Sequence, residues 1–577
     1  LSAQVGLDHL VRRRFAVGGN VNVSLQLPRG AAASRRSFDL PARRVFPPAI
    51  FVVVFVVYVL TMAPTISWKN GGIDSGELVT AMYVLGIPHP TGFPVYLVLG
   101  KLFTLLPIGD VAYRVNLMSV VFGDLTVVVV VLAAYTLIRP KDQPRDRSRE
   151  TAGGTLRRVR LGSGSAMPVR STSEIDVLPW VYASLGSLVL AFTPLYWSRA
   201  TIAKEYTLHL FLLSLSLWFL LQWRIGADER FLVGFALALG FGLGNHVTIL
   251  AAVPGAIAFV YFVDRNLRRL ASRAARAAPI TLLVGSLCYA YLPIRALAWP
   301  YLNWDDPITF AAIYDHVSGS VYQNSLFHLS LSALSQRFLF SIADAPKQLG
   351  WPALVCLFVG VGILARRDRP AAVLLGSIGL VNLVFAAGYP VRDSEAYLLP
   401  AYLVSAVMIS VGFSELVREL ALVANRRAVV SSRQTQLAAL VVAVLIPAAQ
   451  LYSNWASVDV HADYFARDYG SAVLAGAEPG AVVLTNTDAQ TFSLWYNQAV
   501  LGVRPDVIVI DDRLIGWPWF RAMLAHQFPD LGFPGPSPQT EQKLLKGGVP
   551  GHPVDRADTP DVAHEKSPSP VIRHVAP

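Results

Sequence analysis

Apolar runs of membrane-spanning length, separated by clusters of arginine, constrain this chain more than any other feature. A helix needs about 18–20 consecutive apolar residues to cross a hydrocarbon core. Runs of that order recur near residues 48–65, 114–138, 177–196, 206–224, 279–296, 348–365, 371–389, 397–414 and 436–452. A further stretch, Phe231 to Val263, is too long for one comfortable span; Gly240, Gly242, Gly244 and Asn245-His246 divide it into two short helices. Only 15% of the 577 residues are charged and 54% are hydrophobic, too little charge to cover a soluble surface of this size. The reading is a polytopic α-helical membrane protein of about eleven spans.

The arginines give the orientation. Residues 1–47 carry Arg12, Arg13, Arg14, Arg35, Arg36, Arg43 and Arg44 and read as a basic cytoplasmic tail. The first apolar run lacks a small-residue cleavage site and reads as a retained span. The loop 66–112 holds only Lys69 and Lys101 before its end, so it lies outside. Within it Phe93–Leu106 reads as a short interfacial helix. Arg139 to Arg160, Arg265 to Arg276, Arg366 to Arg369 and Arg418 to Arg433 mark inner loops in turn. Parity then places the amino terminus in the cytoplasm and the carboxyl terminus outside, in a multi-pass protein of the plasma (inner) membrane. The net charge of +11 is explained by these loops, so the bilayer and not nucleic acid is the expected partner. Cys288 and Cys356 lie inside apolar runs and imply neither a disulfide framework nor a zinc site.

After Tyr452 the composition changes. Ala481–Thr485 and Val507–Ile510 read as buried strands, with Thr491–Val500 as a helix between them. This β-α-β pattern predicts a small extracytoplasmic α/β module over 455–530, following a transmembrane domain over 48–454. The Pro- and Gly-rich remainder, 531–577, reads as a disordered tail.

This topology brings ionisable residues to every outer connection. The first contributes Asp74, Glu77 and His89, with Arg114 where the second span begins; the next contributes Lys204 and Glu205. Asn245 and His246 follow, then Arg295 and Asn303 to Pro307, then Arg392, Asp393 and Glu395. Charges at a membrane face are expensive and point to function. Mixed charge suits an anionic, lipid-linked substrate, with cations for a phosphate and a carboxylate to take a proton from an attacking hydroxyl. Structural alternatives stand beside this. Asp74 and Glu77 have capping-box spacing. His246 also fits a satisfied buried histidine, Arg295 a snorkelling residue, and Lys204 and Glu205 a mutual pair. Asp305-Asp306 fits a turn before Pro307, and Trp197, Trp299 and Trp304 fit an interfacial belt.

The run from Asp74 through Asn116, containing Asp74-Ser75-Gly76-Glu77 and Gly86-Ile87-Pro88-His89-Pro90, resembles the signature of a large bacterial membrane-protein family related to protein O-mannosyltransferases, of GT-C type. Ala203–Leu208, Gly242–Thr248, Tyr291–Arg295 with Asn303–Pro307, Arg392–Pro400 and Arg504–Val507 match further motifs in order, over roughly residues 48–520; Lys204 departs from the apolar residue expected there. The resemblance implies a GT-C-like bundle and inverting transfer of a sugar from a polyprenyl-phosphate donor to a hydroxyl of a protein or glycan acceptor, with neither metal nor cofactor. It implies Asp74 as base and Glu77 as second carboxylate. His246, Asn245, Arg295 and Arg392 become candidates for the donor phosphate, and His89, Arg114, Lys204, Glu205 and Asp393 complete the substrate-binding set. A transporter or flippase of lipid-linked sugars would show paired inverted repeats, and none is visible. A non-catalytic envelope assembly protein acting through the 455–530 module would tolerate loss of Asp74.

Overall fold

The computed structural model describes residues 42–139, 172–426, 431–529, 552–557 and 572–574. The basic tail before residue 42 and most of the segment after Arg139 lie outside the described residues.

Runs of Val, Leu and Ala without polar interruption make long helices, because every backbone polar group is then satisfied within the segment. A 3-10 turn at Ala42–Arg44 leads into α1 (Phe46–Thr61). The following loop holds α2 (Ser75–Val84) and α3 (Pro94–Thr104) before the long α4 (Val111–Ile138). Helix α5 (Thr172–Ala191) meets α6 (Pro194–Ala200) at a 75° bend. Then come α7 (Tyr206–Gly226), α8 (Arg230–Leu243), a 3-10 turn over Val247–Ala252 that continues as α9 (Val253–Asp264), α10 (Leu267–Tyr289) and the short α11 (Tyr291–Ala296). A long connection contains α12 (Phe310–Ser318), α13 (Ser320–Gln323), α14 (Leu331–Ala343) and α15 (Ala345–Leu349). The segment Leu331–Leu349 turns by 112° into α16 (Trp351–Arg367). Helices α17 (Arg369–Gly388), α18 (Leu399–Arg426) and α19 (Ser432–Val458) complete the bundle.

Among the described residues eight helices are long and apolar enough to cross a membrane, or ten if each bent pair counts as one span. The eleventh apolar element is α8. Its 14 residues extend about 21 Å, short of a hydrocarbon core of about 30 Å. Helices α16 and α18 touch backbone to backbone: a Cβ built on Gly412 would lie 1.8 Å from the Cys356 carbonyl oxygen, and one on Gly360 1.9 Å from that of Met408. Trp197, expected in an interfacial belt, is instead fully buried, and its Nε1 donates to Thr61 Oγ1 at 2.9 Å.

The carboxyl-terminal module contains α20 (Phe465–Gly476), β1 (Val482–Thr485), α21 (Asp488–Ala499), β2 (Ile508–Asp511) and α22 (Pro518–Gln527). Strands β1 and β2 pair in parallel around the α21 crossover. The sheet continues into the segment expected to be a disordered tail. There β3 (Val554–Ala557) adds in parallel to β1 and β4 (Ile572–His574) adds antiparallel to β3, giving the order β2-β1-β3-β4. Short strands embedded in Pro- and charge-rich sequence carry too little apolar pattern to be read in advance. The module is fastened to the loop after α1. Trp68 Nε1 donates to Ser493 Oγ at 3.1 Å, Ser67 Oγ to Asp463 Oδ2 at 2.5 Å, and the Tyr496 hydroxyl to Asp110. A Cβ on Gly76 would sit 2.5 Å from the Phe492 carbonyl oxygen, so α2 and α21 pack as closely as backbones allow.

Candidate active site

The loop between α1 and α2 is shaped by Asn116, whose Nδ2 donates to the carbonyls of Ala63 (2.8 Å) and Thr65 (3.0 Å). Asp74 then sits at the N-cap position of α2, yet its side chain makes no capping bond. Its Oδ2 instead accepts from Lys204 Nζ at 2.5 Å. Lys204 is not paired with its neighbour Glu205; its second carboxylate is Asp393, with Oδ2 at 3.3 Å. Asp393 in turn receives Arg199 Nη2 at 2.6 Å and the Tyr206 hydroxyl at 3.2 Å. Arg199 Nη2 also lies 3.2 Å from Glu395 Oε1. Five charges thus alternate in sign from Asp74 through Lys204, Asp393 and Arg199 to Glu395.

This order explains the protonation states. Burial alone would push Asp74 up, but the Lys204 ammonium, and then His89, hold it below the usual carboxylate range. Burial would discharge Lys204, and Asp74 and Asp393 outweigh that, raising it above the usual lysine range. Glu205 moves the other way: burial dominates and raises it, although Lys204 is nearby. One turn after Asp74, Glu77 is fully buried and accepts the His89 backbone N–H at 2.9 Å on Oε1. Its other oxygen meets His89 Nδ1. Burial opposes the imidazolium, but this carboxylate raises His89 to about 9. His89 is therefore charged, and its pairing with Glu77 ties the loop after α2 to the first turn of that helix, at whose N-cap Asp74 stands.

Helices α8 and α9 meet at Asn245 and His246. Asn245 is buried and donates through Nδ2 to the Glu205 carbonyl at 3.2 Å. His246 Nδ1 accepts from the Thr248 backbone N–H at 3.3 Å and lies 2.7 Å from its hydroxyl. Burial first, then His209, lowers its pKa to about 3. It is thus neutral, and with Nδ1 accepting, the proton resides on Nε2. Phe93, Tyr206, His209 and Tyr397 surround the ring.

These groups line a cavity of about 870 Å³. Asp74, His89, Lys204, Glu205, His246, Arg392 and Asp393 all reach its wall, with Trp304, Tyr322 and Tyr389. Glu77 and Asn245 stand directly behind that wall. Two predicted binders are elsewhere. Arg114 donates to the carbonyls of Thr104, Ile108 and Gly109. Arg295 donates to those of Leu85 (2.7 Å) and Val84 (3.5 Å), satisfying the carboxyl end of α2. Neither guanidinium lines the cavity, because carbonyls at helix ends and in the loop before α4 take them first. Sequence reasoning left Arg199 out of the binding set, although Trp197-Ser198-Arg199 stands at an outer connection. It also missed Asp488 and Phe492 of α21, which line the cavity; nothing local in the sequence links them to Asp74. Among the described residues no three His, Cys, Asp or Glu side chains group to hold a metal ion.

A family profile described as "Protein O-mannosyl-transferase TMEM260 N-terminal domain" matches residues 74–269, beginning at Asp74. A second, "TMEM260-associated domain 2", matches residues 466–530. The chain is 26% identical over 524 residues to the protein O-mannosyl-transferase TMEM260 of Mus musculus, covering 87% of this chain and 67% of the mouse protein. These matches make the chain similar to an O-mannosyltransferase-related family. The Dictyostelium discoideum protein of the same name is 21% identical over 541 residues, covering 84% of this chain and 59% of its own length. The chain therefore spans roughly three-fifths to two-thirds of these relatives. Among solved structures it resembles ArnT from Cupriavidus metallidurans. The TM-score is 0.52 for the apo state and 0.50 for the form bound to undecaprenyl phosphate, each at 14% identity and covering 90% of this chain and 93% of ArnT. That likeness gives the chain the GT-C fold of ArnT.

Proposed function

We propose that this chain is a glycosyltransferase that moves a sugar, mannose by analogy with its named relatives, from a polyprenyl-phosphate carrier to a hydroxyl of a protein acceptor on the outer face of the membrane. The observation that carries this reading is Asp74: an ionised carboxylate on a cavity wall, with Oδ2 held by Lys204 and set among alternating charges. Asp74 takes the proton of the acceptor hydroxyl while that oxygen bonds to the anomeric carbon. The bond from that carbon to the carrier phosphate breaks, and the phosphate leaves with the electron pair. Attack opposite the leaving group inverts the anomeric centre. Lys204, Arg392 and the Nε2 proton of His246 are the groups available to the phosphate. Glu77 and His89 act as positioning residues, tying α2, whose N-cap is Asp74, to the loop that follows it. Leu250, Ala251, Val381 and Phe385 line the same cavity on the 3-10 turn before α9 and on α17, both parts of apolar spans, which suits a carrier tail that stays in the bilayer.

The test is Asp74→Asn, assayed in bilayer nanodiscs with labelled polyprenyl-phosphate mannose. Loss of a positioned general base lowers turnover by about 10²–10⁴, while insertion and thermal stability stay near the parent's. A well-inserted variant with full transfer would remove Asp74 from this role.

A further inference from the structure

A second cavity, of about 890 Å³, lies on the other side of the segment Val391–Glu395. Gly71, Val391, Arg392 and Glu395 line both cavities. Arg199, the second cation of the ion-pair series from Asp74, lines the second.

The two cavities differ in chemistry. The first is aromatic and reaches apolar spans. The second presents Gln336, Ser341 and other amide and hydroxyl side chains, together with four cations. Two of those cations are committed. Arg337 is held by the carbonyls of Ala386, Ala387 and Tyr389 and by Ser394 Oγ, and Arg199 by Asp393 and Glu395. The acids are committed too: Asp344 Oδ2 accepts from Gln348 at 2.9 Å, and Glu395 faces Arg199. Lys347 and Arg392 are exposed, and among the described residues neither side chain makes a hydrogen bond or ion pair. The unspent charge of this cavity is therefore positive.

We propose that this second cavity receives the acceptor as an extended polypeptide segment, and that Lys347 selects segments with an acidic side chain close to the modified hydroxyl. This rests on the transferase reading above and deepens it. A two-substrate transferase needs compartments that meet near the reacting atoms, and the shared wall at Gly71, three residues before Asp74, and at Val391–Glu395 supplies that meeting point. Beside the apolar Leu195, Phe340 and Leu398, the amides of Asn70, Gln336 and Asn454 and the hydroxyl of Ser341 give this wall donors and acceptors for a peptide backbone.

The experiment uses the full chain in nanodiscs and three synthetic peptides that carry one Ser or Thr flanked by Glu, Gln or Lys. Peptide binding is read by fluorescence anisotropy without donor, so it reports on this inference even in an enzyme that transfers nothing; transfer is read separately. The parent binds the Glu peptide best. Lys347→Glu replaces attraction by repulsion and weakens the Glu peptide about tenfold. Lys347→Gln gives an intermediate loss, the Gln peptide changes little, and the KM for the donor stays in place. Equal binding of all three peptides by the parent overturns the proposal. So does a Lys347 variant that raises the donor KM and spares peptide binding, since the carrier phosphate would then occupy this cavity.

Discussion

Asp74 and Glu77 are carboxylates one helical turn apart, and their partners separate their roles. Asp74 faces the cavity beside an ammonium; Glu77 is fully buried against an imidazole. The Glu77–His89 pair makes a prediction about pH. His89 is raised from 6.5 to about 9, so its contribution to stability is complete below about pH 6.5 and is lost as pH rises through about 9. Glu77→Gln removes the charge that raises it, so the loss of thermal stability between about pH 6.5 and 9 should shrink or vanish. Melting temperatures across that interval check this; superimposable alkaline limbs for parent and variant would disprove the coupling. The cluster was partly legible in the sequence. Acids, a histidine and a lysine near Gly and Pro at span ends announced chemistry, because a charge at a membrane face has few other reasons to be there. What could not be read was which partner each group would choose. Asp74 with Glu77 has the spacing of a capping box, and only the structure shows that Lys204 takes the carboxylate. Arg114 looked like a substrate binder and Arg295 like a phosphate binder because a sequence does not display the unpaired carbonyls at the end of α2 or in the loop before α4.

At the scale of elements, the module reaches the cavity wall through α21, which crosses α2. Backbone atoms cannot yield as a flexible side chain can. Gly76→Ala should therefore separate the two helices at Phe492, with a loss of about 1–3 kcal/mol of stability and a fall in transfer from displacement of Asp74. Normal activity in this variant would mean that the module is dispensable for positioning the base. Gly412→Ala makes a control of the same kind away from the cavity: it should loosen α16 from α18 and lower the melting temperature while leaving the donor KM in place. Most helices were legible from apolar runs, and the β-α-β core of the module from two short apolar strands around a helix. The 75° and 112° bends were not, because apolar residues continue on both sides of each break. Trp197 was misplaced for a related reason. A tryptophan beside Ser198 and Arg199 reads as interfacial, whereas here the elements α6 and α1 bury it.

Over the whole molecule, the charged groups sort to two ends of the bundle. Helix α7 starts at Tyr206, on the cavity, and its 21 residues run for about 31 Å. Near its far end Arg224 pairs with Asp368 at 2.5 Å, and on neighbouring elements Arg273 joins Asp264 and Glu229. The cavity end holds the module; the other end holds the arginines expected in the cytoplasm. This separation turns the outer-face reading into a labelling prediction. In a background with Cys288 and Cys356 replaced by alanine, Glu478→Cys in the module and Arg268→Cys at the start of α10 place single exposed thiols at the two ends. A membrane-impermeant maleimide added to intact cells should label position 478 and spare 268 until the membrane is opened. The reverse pattern would put Asp74 on the cytoplasmic side. A carrier presenting its sugar outside could not then reach it, and the positive-inside bias of this chain would have to yield to some stronger determinant of insertion.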